Sequence, residues 1–128
     1  MKILCLHGVN GNEKIIRFQL GYIMAQIKKR LKDVEFVFMT SPRLCSEEPD
    51  QGTVNFFGKN ETFHEWWNQE SFSGLDESVQ FFKQQQLENI DAVIGFSQGG
   101  AMISLLHYHD LLPNCKCSML ICNAHVRD

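Results

Sequence analysis

The sequence predicts an α/β fold, a three-layer sandwich with a mostly parallel sheet between two layers of helices. Two observations predict it. Short apolar runs alternate with segments of helical periodicity in the order β-α-β-loop-α-β-α-β, and such alternation implies parallel strands joined by crossover helices. One run leads through Gly95-Phe96-Ser97-Gln98-Gly99-Gly100 straight into an apolar helical stretch. That is a G-x-S-x-G sequence in strand–turn–helix context. Right-handed crossovers leave few ways of connecting these elements.

Residues 2–6 form the first apolar strand, which ends at His7-Gly8. Asn12 is placed to cap a helix, and Ile16, Leu20, Ile23, Met24, Ile27 and Leu31 then recur at helical spacing on one face. The basic cluster Lys28-Lys29-Arg30 with Lys32 falls at the end of this helix, where cations complement the dipole. Residues 34–39 read as the second strand. From Pro42 to Gly58, turn residues and acids predict an irregular excursion. Phe56, Phe57, Phe63, Trp66 and Trp67 imply that the segment packs against the body of the protein. The two tryptophans either line an acyl pocket or fill core.

Ser73-Gly74-Leu75-Asp76 resembles a capping box, opening a helix to about residue 88. Asp91 reads as a turn or cap residue before the third strand, residues 90–95. The helix behind Ser97 runs to about His109, with Met102, Leu105 and Leu106 as a core stripe, and Pro113-Asn114 break it. Residues 117–122 are the fourth strand.

A chain of 128 residues is read as one domain, 1–128, able to bury roughly two-thirds of its unfolded surface. Net charge is −3 and no basic stripe occurs, which argues against nucleic acid as a partner. No run reaches the ~18 apolar residues of a membrane span, and Ile3-Leu4-Cys5-Leu6 is too short for a signal peptide. Of five cysteines, Cys5 and Cys122 fall in strands, and Cys115-Lys116-Cys117 lacks the second pair of a zinc site. Free thiols in a reducing cytoplasm are expected, with no metal or cofactor.

Glycines in the Gly95–Gly100 stretch let the chain turn sharply beside a serine held in a strained conformation. The following helix aims its free N–H groups and positive dipole end at the same point. The competing reading is a glycine-rich turn with an incidental serine. A phosphate loop is a poor fit, since neither glycine spacing of such loops is present.

Three stretches together resemble the small FSH-type serine hydrolases, an esterase and thioesterase branch of the α/β-hydrolases. They are Lys2-Ile3-Leu4-Cys5-Leu6-His7-Gly8 with Asn12, Trp66-Trp67 followed by Ser73-Gly74-Leu75-Asp76-Glu77-Ser78, and Asp91 to Met102 around the serine. The resemblance implies an α/β-hydrolase-like sheet of order 2-1-3-4 and cleavage of a small carboxylic ester or thioester by a Ser-Asp-His triad. Ser97 would be the nucleophile, and the N–H groups of Gln98 and Val9 the oxyanion donors. In the family the acid and the histidine follow later strands, so the chain is expected to be the N-terminal portion of the family domain, without either partner.

The local histidines divide accordingly. His107 and His109 lie ten and twelve residues past Ser97, roughly 15–18 Å along the helix, and read as surface residues. His64 reads as a loop histidine, and His7 as a structural residue shaping the oxyanion loop. His125 follows the strand next to the nucleophile strand and is the candidate base, against the plainer reading of a frayed terminus. The strand at 117–122 is expected to present a bare apolar edge, so that the chain made alone pairs with a second copy, aggregates or is marginally stable. A non-catalytic truncated paralogue or splice form, acting by association, is the alternative function. A flavodoxin-like binding domain is a weaker third, because no phosphate loop follows the first strand.

Overall fold

Period-two alternation in the first strand sorts its side chains into two opposed layers. β1 (Lys2–Leu6) sends Leu4 and Leu6 into one core, and Ile3 and Cys5 into the other. The computed structural model describes residues 1–121, so the expectations for Cys122 and His125 fall outside the described residues. β2 (Glu35–Met39), β3 (Ala92–Phe96) and β4 (Cys117–Ile121) complete one sheet. Its order is β2-β1-β3-β4 and every pairing is parallel, as expected.

That order contains a switch point. From β1 the chain crosses outward to β2, and from β3 it crosses the opposite way to β4. The C-terminal ends of the two central strands therefore face a common crevice, the place where open α/β sheets bind ligands. Leu6 is in register with Gly95, so the loop leaving β1 starts beside the turn that carries Ser97.

On one face lie α1 (Glu13–Gln19) and α2 (Gly21–Arg30), whose Ile16, Leu20, Ile23 and Ile27 pack on Ile3, Cys5 and Ile94. The single helix expected here is two. The break falls at Leu20, with φ −91° and ψ 2°, directly before a glycine, a weak helix former and a usual site of kinks. Its apolar stripe runs across the break, and Met24 N–H still donates to Leu20 O at 2.8 Å.

On the other face lie α4 (Leu75–Lys83) and α5 (Gln98–Tyr108). Val79 and Phe82 of the first, and Ala101, Met102, Ile103 and Leu106 of the second, surround Leu4, Leu6, Val93, Trp66 and Trp67. The tryptophans are core, with exposures of 0% and 4%. Two details of α4 differ from expectation. Gly74, not Ser73, is its cap, with φ 91° and no side-chain cap bond. A Cβ there would lie 2.5 Å from Arg43 Cδ, so the arginine stem occupies the space. The helix also ends at Lys83 rather than near 88. Leu87 and Ile90 reach the core from turns instead.

The excursion holds a helix that the turn-like Asp50-Gln51-Gly52 conceals, α3 (Gln51–Phe57). Asp50 caps it by accepting from Thr53 N–H at 3.0 Å. None of its residues is buried, and Phe56 and Phe57 meet Phe18 of α1 edge-on at 5.2 and 5.9 Å. Asp91, read as a turn or cap residue, instead joins the start of β3 to β1, accepting from Lys2 N–H at 2.8 Å. Among the described residues no helix is long and apolar enough to cross a membrane, and Cys5, Cys45, Cys115 and Cys117 are free thiols. Burial pushes the Cys5 thiol up to about 12, which makes it a small apolar core residue.

Phe82 is fully buried between α4 and the tryptophans, 5.0 Å ring to ring from Trp66. Phe82→Ala is expected to cost about 3–5 kcal/mol, read as a fall in the urea midpoint with unchanged secondary structure.

Candidate active site

Ser97 follows the last residue of β3 and is the N-cap of α5. Its φ of 53° and ψ of −118° lie in a region that side chains rarely adopt. The strained turn is held by Ser97 N–H donating to Ile121 O at 2.8 Å, and by Gly100 N–H donating to Ser97 O at 2.9 Å. The hydroxyl makes no cap bond to its own helix. It lies at the tip of a central strand, half-buried where the sequence reading has it exposed.

Two glycines permit this turn by the space they leave. A Cβ on Gly95 would lie 2.6 Å from Gly100 Cα and N, so β3 and the first turn of α5 touch backbone to backbone. A Cβ on Gly99 would overlap Leu6 O and lie 2.6 Å from His7 O. The first turn of α5 is thus seated on the end of β1.

The loop after β1 comes to the serine from the other side. A Cβ on Gly8 would stand 3.1 Å from Ser97 Cβ and from Phe96 O. Val9 is the next residue, and with Asn10, whose φ is 55°, it borders a cleft of about 120 Å³ that also touches Cys45, Glu65 and Asn68. Further along, Gly11 exchanges backbone hydrogen bonds with His64 at 3.2 and 2.9 Å. Asn12 caps α1, accepting from Ile15 N–H at 2.9 Å, and donates to Glu61 at 2.8 Å and Thr62 O at 2.9 Å.

His7 is fully buried and both ring nitrogens are used. Nε2 accepts from Ser41 N–H at 3.0 Å, and Nδ1 lies 2.7 Å from Gly8 O. A backbone N–H can only donate and a carbonyl can only accept, so Nδ1 carries the proton. Burial lowers its pKa to about 4, the Gly8 carbonyl bond opposing the shift and the neighbouring His64 adding to it. A neutral ring with both nitrogens engaged has no lone pair for Ser97. His7 is structural, as read.

The Trp66–Trp67 segment joins the two halves of the site. The Trp66 ring stacks on His7 at 4.8 Å and 21°, and its indole N–H donates to His7 O at 2.8 Å. The buried side chain of Gln98 accepts from Trp66 N–H at 2.7 Å and donates to Trp67 O at 2.8 Å. Ser78 Oγ of α4 donates to Trp66 O at 2.5 Å. Beside this, buried Glu65 accepts from Arg43 Nε at 3.1 Å and from Ser46 Oγ at 2.6 Å. Sequence reasoning placed only the backbone of Gln98 in the site and missed Glu65. No local signal marks the Gln98 side chain, since a glutamine at the first position of a helix is free to face solvent; only the packed fold buries it, and burial then requires it to be paired.

Two of the other histidines lie on the surface of α5. His107 Nε2 is 2.8 Å from Ser118 Oγ, and His109 ends α5 on the surface, so both are surface residues as expected. His64 Nε2 is 3.0 Å from Thr62 Oγ1, in the loop. His125 lies outside the described residues. Among the described residues no group of three or more histidine, cysteine or acidic side chains is placed to hold a metal ion.

The buried imidazole has a consequence for stability. Unfolded, His7 titrates near 6.5, and folded near 4. As pH falls the unfolded state takes up this proton first. The contribution is complete above about pH 6.5, drains between there and about pH 4, and amounts to about 3 kcal/mol. Urea midpoints are expected to fall over that window, and His7→Asn, which does not titrate, is expected to remove this part of the slope. An unchanged slope in the variant would sink the assignment.

Comparison with known proteins agrees with this geometry. The family model described as "Serine hydrolase (FSH1)" matches residues 1–127. The esterase alnB of Emericella nidulans is 36% identical over 79% of this chain and 34% of its own length. The esterase OVCA2 of Danio rerio is 27% identical over 83% of this chain and 55% of its own. A dihydromonacolin L-[lovastatin nonaketide synthase] thioesterase of Aspergillus terreus is 28% identical over 94% of this chain and 54% of its own. The chain therefore spans between about a third and a little over half of these relatives. With the match over nearly its whole length, its parallel α/β sheet and its serine turn between β3 and α5, the chain belongs to the FSH1 serine hydrolase family.

Proposed function

We propose that the chain carries the nucleophile and oxyanion half of an enzyme that hydrolyses small carboxylic esters or thioesters. The observation that carries the reading is the backbone of Ser97, strained at φ 53° at the end of a central strand, with Gly8 against its Cβ. Ser97 Oγ attacks the acyl carbon and gives up its proton to a base. The carbonyl oxygen takes the negative charge, and the N–H groups of Val9 and Gln98 receive it. Collapse breaks the C–O or C–S bond, and the alcohol or thiol leaves with the proton. Water, deprotonated in turn, then releases the acid and restores Ser97. Each oxyanion donor contributes about 3 kcal/mol. No cofactor enters these steps.

A serine hydroxyl needs a base. His125 is the candidate within this chain, and His7, neutral and engaged at both nitrogens, is removed from consideration. The bonds that His7 and His107 make to other groups support the alternative, a non-catalytic family member that acts by association. A cytoplasmic location belongs to the proposal, supported by the free thiols. A fluorophosphonate probe separates the two functions. The hydrolase reading expects covalent labelling that Ser97→Ala abolishes and that His125→Ala slows by at least about a hundredfold. A folded protein that takes no label supports association.

Association would run along β4. Its outer edge is unpaired among the described residues, and the strand carries no charge and no proline. Met119 and Leu120 are 43% and 40% exposed. An apolar groove walled by Ile27, Leu31 and Met119 continues the edge. A second copy fits it, because a strand edge paired antiparallel about a twofold axis is complementary to itself. Sedimentation velocity is expected to show a dimer that Met119→Lys converts to monomer. A wild-type monomer at tens of micromolar would rule the pairing out.

A further inference from the structure

We propose that the buried side chain of Gln98 is a positioning residue that sets the spacing of the two oxyanion donors. This rests on the reading of Ser97, Val9 and Gln98 given above. The two donor N–H groups come from different elements, one from the loop after β1 and one from the first turn of α5. Oxyanion donors work only within about 2.7–3.1 Å of the developing charge, and a displacement of about 1 Å costs on the order of a hundredfold. Whatever bridges the two elements therefore sets the rate.

A continuous bridge runs through buried groups. Gln98 Oε1 accepts from Trp66 N–H at 2.7 Å, and Gln98 Nε2 donates to Trp67 O at 2.8 Å. The indole of Trp66 donates to His7 O at 2.8 Å. His7 O precedes the Gly8 and Val9 amides in the same loop, and the His7 ring holds the Gly8 carbonyl at 2.7 Å. Trp66 is itself pinned from outside the site, by Ser78 Oγ on its carbonyl and by Ser41 Oγ on the carbonyl of Glu65. Gln98 and Trp66 are both fully buried, so water does not replace these bonds. The amide of residue 98 and the loop carrying Val9 are thereby referred to one fixed point, Trp66. Gly99, pressed on Leu6 and His7, sets how closely the elements approach. The Gln98–Trp66–His7 bonds set how they slide.

Gln98→Glu tests this with a switch built into the variant. The ionised carboxylate repels Trp67 O and breaks the bridge, whereas the protonated acid donates to that carbonyl and remakes it. Burial and the facing carbonyl raise its pKa above the ordinary carboxylate range. The rate of fluorophosphonate labelling, taken as a ratio to wild type, is expected to be about tenfold down or more at pH 8. It climbs toward unity as pH falls to about 5.5, where His7, with its pKa near 4, is still neutral. The backbone amide resonances of Gly8 and Val9 are expected to shift with the same midpoint in the variant and to lack that step in wild type. A flat ratio with unmoved Gly8 and Val9 amides would overturn the proposal. If wild type takes no label, the nucleophile reading fails by itself, and the amide titration alone decides the coupling. Should Gln98→Glu not fold, Trp66→Phe removes the indole bond to His7 O together with part of the buried ring, while the Gln98 bonds, which go to main chain, are retained. A lower labelling rate constant at an unchanged reversible binding constant is expected, and a wild-type rate constant would overturn the proposal.

Discussion

Where α5 begins, its backbone rests on the backbone at the end of β1. Gly99 has no room for a Cβ because Leu6 O and His7 O fill that space, and Gly95 has none because of Gly100. Three stretches of main chain, from β1, β3 and α5, therefore meet with no side chains between them. Interiors are packed too densely for such a contact to be made loosely. The strained serine conformation, the orientation of α5 and the path of the loop through Gly8 all depend on that meeting.

Main-chain contact leaves polar groups to be satisfied, and the surrounding side chains do so. Trp66 N–H, Trp67 O, His7 O and Gly8 O are each taken up by a buried side chain. An unmade bond here costs far more than a made one contributes. That asymmetry explains why polar residues persist inside an apolar layer. Gln98, His7 and Ser78 are each 0% exposed, and each answers a backbone group. Glu65 is the ionic counterpart: its charge is buried and met by Arg43 and Ser46, which ties the excursion to the segment bearing Trp66. Removing one partner of such a pair is costly, although the pair itself adds little to stability.

The chain holds a strained serine turn and the loop beside it on the two central strands of a parallel sheet. The chain covers 34–55% of the three relatives compared above. The His7 ring is used to hold the loop after β1 in shape, through Ser41 N–H and the Gly8 carbonyl.

Local pattern determined most of the architecture. Apolar runs fixed all four strands and helical spacing fixed the α1–α2 stripe and α5, whereas the order β2-β1-β3-β4 was implied only by the family resemblance. The G-x-S-x-G spacing located Ser97, because its steric demand is local. Signals weakened wherever the deciding partner is distant in sequence. α3 is short and without buried residues, so no apolar period marks it. Gly74 replaced Ser73 as a cap because Arg43, thirty-one residues earlier, occupies the space beside it. The roles of Glu65 and the Gln98 side chain belong to the same class. A residue type states which bonds a side chain can make, but only the packed fold decides which backbone groups are left waiting for them.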